Sequence, residues 1–134
     1  MQELKEIIVP NDLMAAKRPE EVILREVAEC SFCDNAAFAI KLALEEAMTN
    51  AFRHGNRRDP SKHITVQYDV TKDRVEIVVQ DEGDGFDPDQ IPDPTQFEFI
   101  DRPHGRGIML MRSYLDEVVF SDGGSSVRLV KHNR

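Results

Sequence analysis

Apolar positions along the chain follow two rhythms, and the change from one to the other marks the elements. Between about Asp34 and Gly55 the rhythm is helical: at ~100° per residue, Ile40, Leu44, Ala47, Met48 and Ala51 share one face. Asp34 is suited to be the N-cap of this long helix and Gly55 its C-cap. A shorter helix is predicted over Glu20–Glu29, with Val22, Ile23 and Val27 at helical spacing. Asn11 or Asp12 can cap a helical stretch before it, which Pro19 interrupts or restarts.

Elsewhere the rhythm is that of strands. Ile7-Ile8-Val9, closed by Pro10, reads as a first strand. Ile64 to Val70 alternates, Thr71-Lys72-Asp73 turns the chain, and Arg74 to Gln80 returns as the hairpin partner. Residues 87–104 hold four of the seven prolines and little periodicity, which predicts a long loop with at most one helical turn near 96–100. A last helix is expected from about Gly107 to Leu115. Val118-Val119-Phe120, a Gly123-Gly124 turn and Val127 to Val130 then close the chain as a hairpin. Helices flanked by hairpin-paired strands indicate an α+β fold: a two-layer sandwich with a mixed, mostly antiparallel sheet carrying two or three helices on one face. At this length residues 1–134 read as a single domain.

Composition narrows the function classes. The chain is 40% hydrophobic and 31% charged, an ordinary globular balance, and no apolar run approaches the ~20 residues of a membrane span. The opening Met1-Gln2-Glu3-Leu4-Lys5-Glu6 lacks the pattern of a signal peptide, so a cytoplasmic location without membrane attachment is expected. A net charge of −8 disfavours nucleic acid, and the local basic cluster of Arg53, His54, Arg57, Arg58, Lys62 and His63 has no interleaved aromatics. Cys30 and Cys33 form a lone C-x-x-C with no second pair for zinc, and are read as buried, reduced thiols.

Three separated segments carry candidate chemistry. On the long helix, Glu46, Asn50, Arg53 and His54 occupy an arc distinct from the apolar face, prolonged toward the N-terminus by Ala39, Leu42 and Ala43. A carboxylate there can act as a general base and an amide oxygen can ligate Mg²⁺. After the Arg74–Gln80 strand comes Asp81-Glu82-Gly83-Asp84-Gly85-Phe86. Its glycines let a ligand approach the backbone, and Asp81 is placed to accept a hydrogen bond from an exocyclic amine such as that of adenine. An EF-hand is excluded because Gly83 and Gly85 stand where oxygen ligands are needed. Finally, Gly105-Arg106-Gly107 opens a helix, whose free N–H groups suit phosphate. Neither a Walker P-loop nor a Rossmann G-x-G-x-x-G occurs.

Together these strings resemble the N, G1 and G2 boxes of the GHKL ATPase superfamily. They are Glu46-Ala47-Met48-Thr49-Asn50-Ala51 with His54-Gly55-Asn56, then Asp81-x-Gly83-x-Gly85-Phe86, then Gly105-Arg106-Gly107-Ile108-Met109-Leu110-Met111. Within that superfamily the short chain, with Val9-Pro10 before its first helix, is similar to the anti-sigma-factor serine/threonine kinases of bacterial partner-switching systems. The resemblance implies that Asn50 ligates Mg²⁺ on ATP, that Glu46 is the catalytic base, and that Asp81 reads adenine above a floor shaped by Gly83 and Gly85. Arg53, His54, Phe86 and Ile108 fall in the matching segments and are expected at the nucleotide. The resemblance further implies a lid over residues 87–104, phosphates held by Gly105, Arg106 and Gly107, and a hydroxyl near adenine from Ser125, which follows Gly124 where the family carries Gly-Thr.

By the same resemblance the cofactors are ATP and Mg²⁺, and the chain is expected to be a homodimer. Its partners would be an anti-sigma-factor antagonist of STAS type, which it phosphorylates, and a sigma factor or similar client, which it sequesters. Residues 81–101 hold eight acids and no Lys or Arg, so ATP binding there demands Mg²⁺ with help from Arg53, Arg102, Arg106 or His104. Two alternatives stand beside the kinase reading. One is a non-catalytic, ATP-dependent protein-binding switch. The other is the catalytic domain of a histidine-kinase phosphorelay, although no histidine here sits in a suitable phosphoacceptor helix.

Overall fold

A computed structural model of the chain describes residues 4–12, 14–15, 17–56, 59–83, 112–121 and 125–133, with the His54 side chain excepted. Among these residues five strands, β1 (Lys5–Pro10), β2 (His63–Val70), β3 (Arg74–Gln80), β4 (Glu117–Ser121) and β5 (Ser126–His132), form one sheet in the order β1-β2-β3-β5-β4. All four pairings are antiparallel. Among the described residues two helices, α1 (Lys17–Glu29) and α2 (Asp34–Asn50), pack on the sheet, α1 over β2 and α2 over β5. The expected α+β layering is therefore present.

Register explains the core. Ile7, Val66, Val79, Val127 and Phe120 are successive cross-strand partners, so one apolar row crosses all five strands. With period-two alternation, their neighbours Ile64, Tyr68, Val75, Ile77 and Leu129 face the same way. Against them lie Ile23 and Val27 of α1 and Ile40, Leu44, Ala47 and Met48 of α2, all buried. Both apolar stripes read from the sequence thus meet in one core. On the opposite sheet face Glu76 pairs with Arg128 and Arg74, and Arg128 also reaches Glu117, which satisfies a carboxylate that is largely covered.

Helix ends differ from expectation in ways that matter. Helix α1 starts at Lys17 rather than Glu20, and Pro19 sits buried inside its first turn. Proline is tolerated there because the N–H it lacks would have no intrahelical acceptor. Asp12 accepts the Met14 N–H at 2.7 Å, closing a short turn ahead of α1 rather than capping a helix. The N-cap of α2 is Cys33, not Asp34: its extended backbone (φ −66°, ψ 161°) lets its sulfur accept the Ala36 N–H at 3.4 Å. Asp34 then falls in the first turn, where its charge meets the positive end of the dipole. Cys33 is consequently exposed and Cys30 half-buried, which corrects the reading of two buried thiols.

At its other end α2 does not stop on a glycine cap. Residues Ala51–Gly55 form a π-helical turn, closed by the Asn56 N–H to the Ala51 carbonyl at 2.8 Å. Such turns insert a residue into the helical repeat and recur at functional sites. Of the expected last helix, residues 112–114 are helical, while 107–111, the expected 87–104 loop and the Gly123-Gly124 turn lie outside the described residues.

One contact between the helices sets a pH dependence. Glu20 of α1 hydrogen-bonds Glu45 of α2, and Glu20 is raised to about 7 from its ordinary 4.5, first by burial and then by that neighbour. A carboxyl raised in the folded state adds stability fully below pH 4.5, and that contribution is lost as pH rises through about 7. Glu20→Gln is expected to match wild type at pH 4 and to exceed it by about 1 kcal/mol at pH 8, a value reduced from full linkage because water screens the pair. Urea denaturation at the two pH values checks this; an equal effect at both would show that the shared proton contributes nothing.

Candidate functional site

Glu46 and Asn50 stand one turn apart on α2, as the helical spacing requires. The arc they share is polar only in its C-terminal part. Ala39 and Ala43 farther up are buried, and Ala43 belongs to the core. Asn50 is 8% exposed, and among the described residues neither its Nδ2 nor its Oδ1 has a hydrogen-bond partner. A buried amide left unpaired costs roughly 1–3 kcal/mol, and such groups are rare in folded proteins. An amide in this state has two hydrogen-bonding atoms that a ligand could satisfy. Glu46 is half-buried, and burial lifts its carboxyl above the usual range; Glu45 adds to the rise and Arg53 opposes it. Arg53 itself is exposed in the π-helical turn.

The second part of the site is the junction between the end of α2 and the loop leaving β3. Asp81 donates its N–H to the Ser125 carbonyl at 2.9 Å, and its Oδ1 accepts the Gly83 N–H at 2.8 Å. Its carboxyl is raised by burial, with the Gly83 N–H and Lys62 pulling the other way. Two glycines make the approach possible. A Cβ at Gly55 would lie 2.1 Å from the Asp81 carboxylate, and one at Gly83 would lie 1.8 Å from the Gly55 carbonyl oxygen. Any side chain at Gly83 would collide with backbone, so the two segments touch only because both positions lack a side chain. Ser125 is buried at the start of β5, beside Asp81.

The structure thus brings together Glu46 and Asn50 on one helix, and Asp81, Gly83 and Ser125 at the junction that follows it. Gly85, Phe86, Gly105, Arg106, Gly107, Ile108, the 87–104 lid and the His54 side chain lie outside the described residues. Asn56 is a site-bordering residue to which the sequence reading assigned no role. It is fully buried, and its side chain links Asn11, His63 and Glu82. Its position after Gly55 in the motif string was visible, but an asparagine following a glycine reads as an ordinary turn residue.

These residues fit magnesium-bound nucleotide. Mg²⁺ generally takes one or two protein oxygens and completes its shell with phosphates and waters, so the Asn50 oxygen, unpartnered among the described residues, could serve as such a ligand. Among the described residues no group of three or more His, Cys, Asp or Glu is gathered for a metal held by protein alone. No described helix is long and apolar enough to cross a membrane.

Comparison with known proteins bears on the same segments. Residues 13–131 match the family model of the Histidine kinase-like ATPase domain. The chain is 35% identical over 100 residues to the serine-protein kinase RsbW of Bacillus subtilis, a match covering 69% of this chain and 62% of that one. It is 27% identical over 136 residues to RsbW of Listeria innocua, covering 90% and 85%. The chain spans about three-fifths of the length of the Bacillus relatives it matches. Among solved structures, that of the RsbU and RsbW domains of Rv1364c from Mycobacterium tuberculosis superposes with a TM-score of 0.62 at 22% identity. The match covers 99% of this chain and 32% of that one, and it supports the fold. On the matched span, the sheet-and-helix architecture and the two motif segments the structure describes, the chain belongs to the Histidine kinase-like ATPase domain family.

Proposed function

We propose that this chain is an ATP-dependent protein serine/threonine kinase acting as an anti-sigma factor. The observation that carries the reading is the buried, unpartnered Asn50 amide one helical turn from a half-buried glutamate whose carboxyl is raised. The names borne by its RsbW relatives favour a serine as the phosphoacceptor. In this reading residues 1–134 form a single ATPase domain. Asn50 would hold Mg²⁺, which when bound with ATP neutralises phosphate charge. Asp81 accepts the adenine amino group, and Gly83 keeps the pocket floor free of side chains.

Glu46 takes the proton of the attacking hydroxyl as its oxygen bonds to the γ-phosphorus and ADP leaves; its raised carboxyl is a stronger base than a solvent-exposed glutamate. Arg53 lies close enough to steady the ionised form. Gly105, Arg106 and Gly107 are assigned to the phosphates, Phe86 and Ile108 to the nucleotide's surroundings, and residues 87–104 to a lid, on their motif positions. The protein substrate would be a STAS-type antagonist and the sequestered client a sigma factor, with the kinase working as a cytoplasmic homodimer in transcription regulation.

Calorimetry with ATP tests the reading directly. Binding is expected to weaken at least tenfold when Mg²⁺ is chelated, because eight acids and no Lys or Arg occupy residues 81–101. Equal affinity with and without the ion would remove Asn50 from the proposed metal role, and absence of ATP binding would remove the kinase.

A further inference from the structure

The Asn56 side chain is fully buried and fully used. Its Nδ2 donates to Asn11 Oδ1 at 3.2 Å and to the His63 carbonyl at 2.9 Å, and its Oδ1 accepts the Glu82 N–H at 2.7 Å. These partners belong to the residue after β1, the start of β2 and the loop after β3. Asn11 is itself fixed: its N–H donates to the Lys62 carbonyl at 3.2 Å and its Nδ2 to the Asp59 carbonyl at 3.0 Å.

Glu82 is held a second time, because its carboxylate accepts the His63 N–H and lies 3.6 Å from the His63 ring nitrogen Nδ1. Asp81, one residue earlier, is tied through its own N–H to Ser125. The turn carrying the Asp81 carboxylate is therefore anchored by consecutive backbone N–H groups to two different parts of the fold. One of the two anchors is a single side-chain oxygen.

We propose that Asn56 is a positioning residue for nucleobase selectivity: by holding the Glu82 N–H it fixes the Asp81 carboxylate where it accepts from an amino group and repels a carbonyl oxygen. The inference rests on the ATP reading above. At the purine 6-position adenine offers an amine and guanine a carbonyl, so a carboxylate held in place favours ATP over GTP. A carboxylate free to swing away loses that preference. The Gly55–Gly83 contact limits the turn in one direction, toward α2, and Asn56 limits it along the β2 side.

The experiment measures ATP and GTP affinity, each with Mg²⁺, for wild type, Asn56→Ala and Asn56→Asp. Asn56→Ala is expected to weaken ATP about tenfold, the value of one well-placed hydrogen bond, while GTP changes less than about twofold. Asn56→Asp keeps an acceptor for the Glu82 N–H and is expected to retain the wild-type ATP-to-GTP ratio even where its melting temperature falls. Equal losses for both nucleotides in Asn56→Ala, or an aspartate that behaves like alanine, would overturn the proposal.

Should the alanine variant not fold, hydrogen exchange of the Glu82 amide in nucleotide-free wild type decides the matter. Protection of about a hundredfold over an unstructured chain is expected, and unprotected exchange overturns it. Wild type that binds neither nucleotide fails the ATP reading itself; wild type that binds ATP and GTP equally fails this inference alone.

Discussion

Asn50→Ala is expected to make the nucleotide-free protein more stable by about 1–2 kcal/mol while weakening Mg²⁺-dependent ATP binding about a hundredfold or more. Two terms favour the folded variant. The substitution removes a buried amide with no partner on either atom, and it places the best helix former in the last turn of α2. Opposing them is a small loss of packing, limited because Asn50 lies on the arc of Glu46 and not on the core stripe of Ile40, Leu44 and Ala47. The binding loss follows from removing the side-chain oxygen assigned to the metal. Denaturant titration and calorimetry on the same two proteins read both effects. A variant that is less stable and still binds ATP as wild type does would show that the amide is structural. The expected opposite signs would identify a position where function is kept at the expense of stability.

The second large effect concerns Glu46. Glu46→Gln keeps size and hydrogen-bonding shape but cannot accept a proton, so phosphate transfer to a protein substrate is expected to fall by about 10²–10⁴. ATP affinity should stay within about threefold, since Glu46 is assigned to the attacking hydroxyl and not to the nucleotide. The pH profile gives a further signature. Only the ionised carboxylate is a base, so the wild-type rate rises with pH and levels off once Glu46 has lost its proton. Because burial and Glu45 raise that carboxyl, the rise should fall at higher pH than an ordinary glutamate gives. Arg53 opposes the shift, so Arg53→Ala is expected to move the rise to still higher pH. Undiminished transfer by Glu46→Gln would exclude it as the base. If wild type itself transfers no phosphate yet binds ATP, the protein is a nucleotide-dependent binding switch.

Both effects were framed by residues that the sequence places one helical turn apart, and much else was legible in the same way. The strands at Ile64–Val70 and Arg74–Gln80, their hairpin, the core stripe of the long helix and the helix-to-turn spacing of the Glu46 and Asp81 segments all follow from periodicity and turn chemistry. Periodicity records which side of an element meets the core, and that is a local property of the chain. It does not record how an end is satisfied. Cys33 rather than Asp34 caps α2 because the backbone leaving Ser31, which has a positive φ of 58°, arrives extended at Cys33.

The sequence by itself determined the layering, the helix and strand that bear the first two motifs and the order of the motifs, because spacing along a helix or a strand fixes the relative direction of side chains. Tertiary structure alone decided three things. It set the strand order β1-β2-β3-β5-β4, which seats Ser125 beside Asp81. It left the Asn50 amide buried and unpaired. And through the π-helical turn it brought Gly55 against Asp81 and Asn56 into the junction of β1, β2 and the β3 loop. Each depends on contacts between residues far apart in the chain, where burial and the need to pair every polar group are settled by the whole packing and not by any local pattern.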